Sequence, residues 1–156
     1  PGWVAVDRVG REGDAARFHF PRAWLSRDSA DFSFSGLKTA LRTFLASPEG
    51  KAARKEDVAA SFQEAVADVL VGKAIEAAER ERVTRLVLAG GVSANSRLRE
   101  LAKFRGAAAG IATFLPSKAL CTDNAAMVAL LGERRLSAGI VSGPEQSAYA
   151  ASRFTR

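Results

Sequence analysis

Two adjacent glycines, Gly90 and Gly91, follow an apolar run at residues 85–89 and precede Ser93 and Asn95. Such a run is typical of a strand covered on both faces, as in a parallel sheet. Glycine lets a ligand approach the backbone closely, and a helix that begins after it offers unpaired N–H groups to an anion. Ser93 and Asn95 could then contact a ribose, a base or an acyl adenylate. The competing interpretation is a tight turn in which Ser93 only caps the helix.

A second polar sequence, CTDN at residues 121–124, follows another apolar run at 111–115. Because ligands of α/β sheets bind at the carboxyl ends of strands, we expect this junction to share an edge with the glycine pair. A carboxylate such as Asp123 is stabilised at a helix start and can hold a cation beside phosphates. Alternatively, Thr122 or Asp123 only caps the helix. Cys121 is expected to be a small buried residue rather than a nucleophile.

A third segment, DFSFSGLKT at residues 31–39, alternates polar and aromatic residues before a helical pattern begins. Ser33 or Ser35 is the expected cap of that helix, since a side-chain oxygen can accept a free N–H. The phenylalanines are expected in the core. Lys38 would face a phosphate or, in the simpler interpretation, water.

These polar segments lie between elements that hydrophobic periodicity predicts. The strongest predicted helix covers residues 57–80, where apolar side chains form one stripe. In the last predicted helix, Met127, Leu130 and Leu131 are expected to point inward. The order of helices and strands is that of an α/β fold with parallel strands joined by helices. The predicted helices are at 3–9, 37–45, 57–80, 94–104 and 122–136, and the strands at 85–89 and 111–115.

Composition limits the class of protein. Of the 156 residues, 47% are hydrophobic and 26% charged, as in ordinary globular domains and unlike disordered chains. No apolar run approaches the ~20 residues of a membrane-spanning helix, so we expect a soluble protein. One cysteine and one histidine exclude a disulfide framework and a site of several histidines, and favour the reducing cytoplasm. The net charge of +6 favours a polyanionic partner such as RNA, or else a solvated basic surface.

Together, the three polar segments resemble the C-terminal part of the TsaD family, the tRNA adenosine threonylcarbamoyltransferases. The matching sequences are DFSFSGLKT at 31–39, VLAGGVSANSRLR at 87–99 and CTDNAAM at 121–127. The resemblance implies an α/β fold of the actin-like ATPase superfamily (ASKHA, RNase-H-like) with an incomplete second lobe. Residues 1–156 would be the C-terminal part of one TsaD-like domain, with a helical segment at about 34–80 and a nucleotide- and substrate-binding α/β part at about 81–140.

The resemblance also implies a reaction, transfer of a threonylcarbamoyl group from threonylcarbamoyl-AMP to the adenine next to the tRNA anticodon. It implies TsaB and TsaE as partner proteins. Asp123 would be a metal ligand, with iron the expected divalent metal and zinc or magnesium the alternatives. Asn95 would bind the adenylate beside the turn formed by Gly90, Gly91 and Ser93, and no catalytic residue is assigned. Candidates for tRNA contact are Arg97, Arg99, Arg134 and Arg135.

The chain departs from the family pattern in two ways. It has no HxxxH pair of metal ligands, and His19 does not occupy such a motif. It is also much shorter than the family's proteins and begins at Pro1 rather than methionine, so we expect a fragment. One carboxylate does not make a firm metal site. The chain alone is therefore expected to bind no catalytic metal, to transfer nothing, and to self-associate through exposed sheet edges.

Other function classes are alternatives. The main one is a non-catalytic nucleotide-binding or partner module of the actin-like superfamily, such as the TsaD paralogue TsaB, which lacks the GGVSAN and CTDN elements. A general RNA-binding protein would need an RRM or KH signature or aromatic platforms. A sugar kinase or Hsp70-type ATPase would need phosphate loops that this sequence lacks, and a glycoprotease would need a nucleophile and a base.

Overall fold

The computed structural model describes residues 2–23, 29–145 and 147. Pro1 and residues 148–156, the two ends of the predicted domain 1–156, therefore lie outside the described residues. The described part is rich in helix and contains a two-stranded sheet. Its helices are α1 (Gly2–Gly10), α2 (Ser35–Ala46), α3 (Pro48–Ala52), α4 (Lys55–Arg80), α5 (Ser96–Ala108) and α6 (Ala125–Ser137), and its strands are β1 (Arg85–Val87) and β2 (Ala112–Phe114).

The chain divides into two units, Pro1–Thr122 and Asp123–Arg156, and α6 belongs to the second. The predicted division into a helical segment at 34–80 and an α/β part at 81–140 stays a prediction. Within the described ranges, no helix has both the length and the apolar character needed to cross a membrane.

Helix α4 carries most of the core of the first unit and confirms the helix predicted at 57–80. Its Val71 is fully buried in a cluster that also contains Leu98 of α5. Further toward its N-terminus, α4 contributes to a second cluster with Leu37 of α2 and Phe20 of the preceding segment. One long helix therefore supports both the α2 segment and the sheet region.

Strands β1 and β2 pair in parallel, with Leu86 opposite Thr113. Both lie where the sequence predicts strands, but the expectation that both faces are covered is wrong. Leu86 packs on the core, whereas Val87 is 68% and Phe114 52% exposed. Side chains alternate between the two faces of a strand, and the main contacts of this sheet with helices are to α4 and α5.

Helix α2 begins without the predicted serine cap. The capping position is Phe34, whose side chain makes no capping hydrogen bond, while its carbonyl accepts from the Lys38 N–H at 2.9 Å. Ser33 or Ser35 as the cap is therefore wrong, because Ser35 already belongs to the helix and Phe34 is packed against the core instead. Phe32 is 46% exposed and stacks on Phe34. Of these two phenylalanines, only Phe34 packs against the core as the sequence predicts.

Helix α6 confirms a helix after the CTDN sequence but not its predicted inward face. Met127, Leu130 and Leu131 are between 49% and 60% exposed. The apolar stripe is present in the sequence, but among the described residues of the second unit no other helix or strand covers it.

Lys73 of α4 is a buried cation that holds the segment before α2. It is 4% exposed, and its ammonium group donates to the carbonyls of Ser29, at 2.9 Å, and Asp31, at 2.6 Å. The same group lies 5.9 Å from the centre of the Phe32 ring. Backbone acceptors and a ring face thus replace the water that this cation loses on folding.

Asp68 joins three elements by ion pairs. Its carboxylate accepts from Arg22 at 2.8 Å and from Arg105 of α5. Burial acts to raise the pKa of Asp68, but the hydrogen bonds and charges of Arg22 and Arg105 outweigh it and hold this pKa below its ordinary value. The ionised carboxylate therefore stabilises the packing of α5 and the 20–22 segment on α4.

Candidate functional site

The glycine pair forms the turn that the sequence predicts between strand and helix. Gly90 has φ 89° and ψ 168°, a conformation that is essentially restricted to glycine. A single-turn 3₁₀ helix, Gly91–Ala94, follows it. The Ser93 N–H and hydroxyl donate to the Gly90 carbonyl at 2.9 and 2.7 Å. Ser93 is 2% exposed and thus closes the turn on itself.

Asn95, not Ser93, caps α5. Its Oδ1 accepts from the Leu98 N–H at 2.9 Å, and its Nδ2 donates to Oε1 of Gln63 on α4 at 2.6 Å. The expectation that Ser93 caps this helix is therefore wrong, because the 3₁₀ turn places the capping position two residues later. Asn95 is 5% exposed. Its predicted contact with a ligand stays a prediction.

Gly91 lies at the wall of a cavity of about 260 Å³. A Cβ added at Gly91 would meet no heavy atom within 4 Å, and its φ is not in the left-handed region. The fold itself therefore does not require glycine at position 91, whereas the conformation of Gly90 does. The cavity is lined by Trp3, Val4, Asp7, Arg11, Gly91, Ala94, Asn95, Lys118 and Thr122.

Charged groups meet at Ser96, next to this cavity. The Ser96 hydroxyl donates to Asp7 at 3.0 Å and accepts from Lys118 at 2.6 Å and from Arg11 at 3.3 Å. Burial acts to raise the pKa of Asp7, but hydrogen bonds from the Ser96 N–H and hydroxyl and from Arg11 hold it below its ordinary value. Two cations thus flank the start of α5, where the Asp7 carboxylate already accepts from the Ser96 N–H at 2.9 Å.

Residues 116–121 form the loop after β2 and contact the glycine turn. Cys121 is 4% exposed, and its Sγ lies 3.2 Å from the Ser93 hydroxyl and 3.4 Å from the Ser117 carbonyl. This confirms that Cys121 is a small buried residue. It also confirms that the loops after the two strands share one edge of the sheet, as parallel pairing requires.

Two of the four candidate arginines are used inside the protein. Arg97 pairs with Glu64 of α4 and with Glu100, and the hydrogen bonds to Glu64 hold the pKa of Arg97 above its ordinary value. Arg99 donates to the carbonyls of Ser93 and Pro116. These contacts disfavour tRNA binding by Arg97 and Arg99 and leave Arg134 and Arg135 of α6, both exposed, as candidates.

Asp123 is exposed and precedes Asn124, the cap of α6. Asn124 Oδ1 accepts from the Met127 N–H at 3.0 Å, so the expectation that Thr122 or Asp123 caps this helix is wrong. Across residues 2–23, 29–145 and 147, no group of three or more His, Cys, Asp or Glu side chains is placed to hold a metal ion. The role of Asp123 as a metal ligand stays a prediction.

Several residues at this site were not predicted to act there. Gln63 and Asp7 reach it from α4 and α1, 32 and 89 residues away from their partners Asn95 and Ser96. No local pattern marks either of them, because their partners are brought close only by helix packing. Arg99 is a candidate from the sequence, but for tRNA contact and not for its contacts with the carbonyls of Ser93 and Pro116.

Comparison with protein families identifies the relatives of this chain. The model of the family TsaD, described as tRNA N6-adenosine threonylcarbamoyltransferase, matches residues 1–130. The chain belongs to this family. The match includes all three of the segments on which the resemblance to TsaD rests.

Curated relatives agree with the TsaD assignment. Proteins named tRNA N6-adenosine threonylcarbamoyltransferase are 50% identical over 152 residues in Anaeromyxobacter dehalogenans (strain 2CP-1 / ATCC BAA-258), 49% over 138 in Thiobacillus denitrificans and 45% over 157 in Syntrophus aciditrophicus. These matches cover 95%, 88% and 99% of this chain but 45%, 40% and 45% of the relatives. The chain thus spans about half the length of the curated TsaD relatives it matches.

Proposed function

We propose that this chain supplies the adenylate-binding part of a tRNA N6-adenosine threonylcarbamoyltransferase with an actin-like fold, of which it forms an incomplete second lobe. The proposal rests on the position of Gly91. This glycine belongs to a segment matched by the family, lines a cavity, and is not required by the fold at its position. Close approach of a ligand to the backbone explains a glycine of this kind.

In the proposed reaction the substrate is a mixed anhydride of threonylcarbamate and AMP. The exocyclic amine of the target adenine attacks the carbamoyl carbon, a C–N bond forms, the bond from that carbon to the phosphate oxygen breaks, and AMP leaves with that electron pair. The amine gives up one proton. The contribution of this chain is to bind and orient the adenylate: Gly90 and Gly91 let it approach, and Ser93 and Asn95 hold the shape of the turn.

The basic groups near Ser96 support binding of the phosphate. Arg11 and Lys118 line the cavity, and both contact the Ser96 hydroxyl. Cations held at a helix start add their attraction for a phosphate to that of the positive end of the helix dipole. We expect these groups to interact with the α-phosphate of the adenylate and to stabilise the charge of the departing AMP.

The family resemblance implies a divalent metal, with iron expected and Asp123 as one ligand. The described residues do not fit such a site by themselves, because they provide no group of three ligating side chains. The remaining ligands would have to come from the part of the longer relatives that this chain does not match.

The proposed partners follow from the substrate and the family. A net charge of +6 suits a tRNA, whose phosphates attract basic proteins regardless of sequence. TsaB and TsaE are the proposed protein partners, and the cytoplasm is the proposed location. We also propose that the isolated chain self-associates, since Val87, Phe114 and the apolar residues of α6 are exposed. Light scattering tests this, and a monomer at high concentration would contradict it.

The proposal is tested by exchanging parts between relatives. In the Anaeromyxobacter dehalogenans transferase, the 45% of the protein that matches is replaced by this chain. The chimera is expressed in cells depleted of their own transferase, and N6-threonylcarbamoyladenosine in tRNA is measured by mass spectrometry. We expect the modification to return, because this chain would supply an equivalent adenylate-binding part.

Two controls make the result decisive. The intact relative must restore the modification, and its unmatched part alone must not. A soluble chimera that fails where the intact relative succeeds would contradict the proposed function. This chain expressed alone is expected to restore nothing, because it spans about half of the relatives.

A further inference from the structure

The two loops at the carboxyl edge of the sheet are tied together by side-chain contacts. Strand pairing extends to Leu88, whose N–H donates to the Phe114 carbonyl at 3.0 Å. Beyond this point the chains separate, one into the turn at residues 90–95 and the other into the loop at 116–121. Because the ladder hydrogen bonds end there, the relative position of the loops depends on side-chain contacts.

Arg99 supplies that contact from the first turns of α5. Its Nη1 donates to the Ser93 carbonyl at 3.0 Å, and its Nη2 donates to the Pro116 carbonyl at 2.7 Å. The guanidinium group is planar and presents its N–H groups in a rigid fork, so it can bridge two acceptors that a lysine ammonium cannot hold in the same geometry. One half-buried side chain thus binds one carbonyl of each loop.

Cys121 completes the junction. Its Sγ lies 3.7 Å from Arg99 Nη1 and 3.2 Å from the Ser93 hydroxyl. Since Cys121 and Ser93 are only 4% and 2% exposed, the contact between the loops is dry on this side. Ser93 is therefore held through both its carbonyl and its hydroxyl, and Gly90 is held in turn through the Ser93 hydroxyl.

Among the described residues, no carboxylate forms an ion pair with Arg99. Among the ion pairs of the described residues, Arg97 and Arg105 on the same helix have carboxylate partners, whereas Arg99 has none. A structural arginine of α5 would be expected to pair as its neighbours do. The positive charge of Arg99 instead lies directly behind the turn that lines the cavity, where it also favours an anionic ligand.

We propose that Arg99 is a positioning residue that clamps the turn at 90–95 to the loop at 116–121, and so holds the backbone of Gly90 and Gly91 in the shape that receives a nucleoside monophosphate group. The evidence for the clamp is the pair of hydrogen bonds from Arg99 to the carbonyls of Ser93 and Pro116. The consequence for the ligand rests on the proposed function. The motif that contains Asn95 thus has a second functional position, Arg99 in the first turns of α5.

The clamp is tested by amide hydrogen exchange of this chain with the variants Arg99→Lys and Arg97→Lys. Both keep the positive charge on α5, but only the first removes the bridge between the loops. We expect Arg99→Lys to speed exchange at least about tenfold at residues 91–94 and 118–121, with exchange in the core of α4 unchanged. Arg97→Lys is the matched control and should leave both loops as in the wild type.

Chemical rescue separates a positioning role from general stability. Arg99→Ala leaves a space beside two carbonyls, and millimolar methylguanidinium should restore the slow exchange of both loops, whereas methylammonium should not. Failure of the loops to respond to either Arg99 substitution would overturn the clamp. Equal rescue by both cations would also overturn it, because charge and not the fork would then be responsible.

Binding of AMP tests whether the clamp affects binding of a nucleotide. We expect the dissociation constant of AMP, measured by titration calorimetry, to rise about tenfold in Arg99→Lys and to stay unchanged in Arg97→Lys. If the loops loosen but AMP does not bind even to the wild type, the clamp stands and the proposed adenylate site fails. If AMP binds the wild type and Arg99→Lys equally well, the positioning role is overturned and the adenylate site stands.

Discussion

The carboxylate of Asp7 accepts two hydrogen bonds from Ser96, one from its N–H at 2.9 Å and one from its hydroxyl at 3.0 Å. Asp7 lies in α1 and Ser96 is the first residue of α5, 89 positions later. A buried carboxylate of one helix therefore satisfies a free N–H at the start of another. The contact fixes α1 against the edge of the candidate site.

The first prediction concerns Asp7→Asn and pH. The folded pKa of Asp7 lies below its ordinary value of 3.8, so the unfolded chain binds more protons in that range and the carboxylate stabilises the fold above it. This share of stability is present at neutral pH and is lost as the pH falls from 3.8 towards the folded pKa. Asp7→Asn should lower the free energy of unfolding by about 1–3 kcal/mol at pH 7 and flatten its decline in acid.

Urea unfolding at a series of pH values measures this difference. Asp14→Asn is the control, because Asp14 is exposed and an asparagine retains the Oδ1 that accepts from the Ala16 N–H. Equal acid sensitivity of the wild type and Asp7→Asn would show that Asp7 does not contribute to it.

The second prediction separates the two glycines of the turn. Gly90→Ala should destabilise the protein by about 1–3 kcal/mol, because φ 89° strains any other residue. Gly91→Ala should change the stability by less than about 0.5 kcal/mol, since its Cβ would meet open space. It should nevertheless weaken AMP binding about tenfold, a change of ~1.4 kcal/mol.

Gly36→Ala is the matched control for Gly91→Ala. Gly36 also has open space around a Cβ, but it lies in α2 and does not line the cavity. Thermal unfolding and AMP titration are measured on all three variants. Unchanged AMP affinity in Gly91→Ala would argue against close approach of the nucleotide to this backbone.

The third prediction concerns Asn95. Asn95→Ala removes the cap of α5 and the contact with Gln63, so it should destabilise the fold by about 1–3 kcal/mol. Asn95→Ser keeps a capping oxygen and should recover about half of that loss. If the side chain also touches the adenylate, Asn95→Ser should still bind AMP poorly, and calorimetric titration beside urea unfolding distinguishes the two roles. Wild-type affinity in Asn95→Ser would restrict Asn95 to capping.

The fourth prediction concerns the buried cation Lys73. Lys73→Met keeps most of the apolar stem but leaves the carbonyls of Ser29 and Asp31 without their donor, at a cost of about 1–3 kcal/mol. Hydrogen exchange should increase first at residues 29–34. Lys103→Met, on the exposed face of α5, is the matched control and should change little. Similar small effects of both substitutions on stability would show that Lys73 does not hold this segment.

Among the described residues, periodicity predicts both strands and every α-helix except the short α3, but not where each helix begins. The stripe of α4 and the runs that became β1 and β2 are local signals of period 3.6 and of continuous hydrophobicity, and they were placed correctly. The caps were misassigned at three helices, because several polar residues near each start compete for one position. Only the course of the backbone decides among them, and at α5 the 3₁₀ turn moved the cap to Asn95.

The sequence by itself determined the family, the glycine turn and the position of the loops at one edge of a parallel sheet, because all three depend on order and spacing along the chain. Tertiary structure decided which groups support that edge. Asp7, Gln63 and Arg99 act on residues of other elements, and such contacts depend on how helices pack. It also decided which apolar faces stay open, since Val87 and Leu131 have the same hydrophobic character as core residues and differ from them only in what lies opposite.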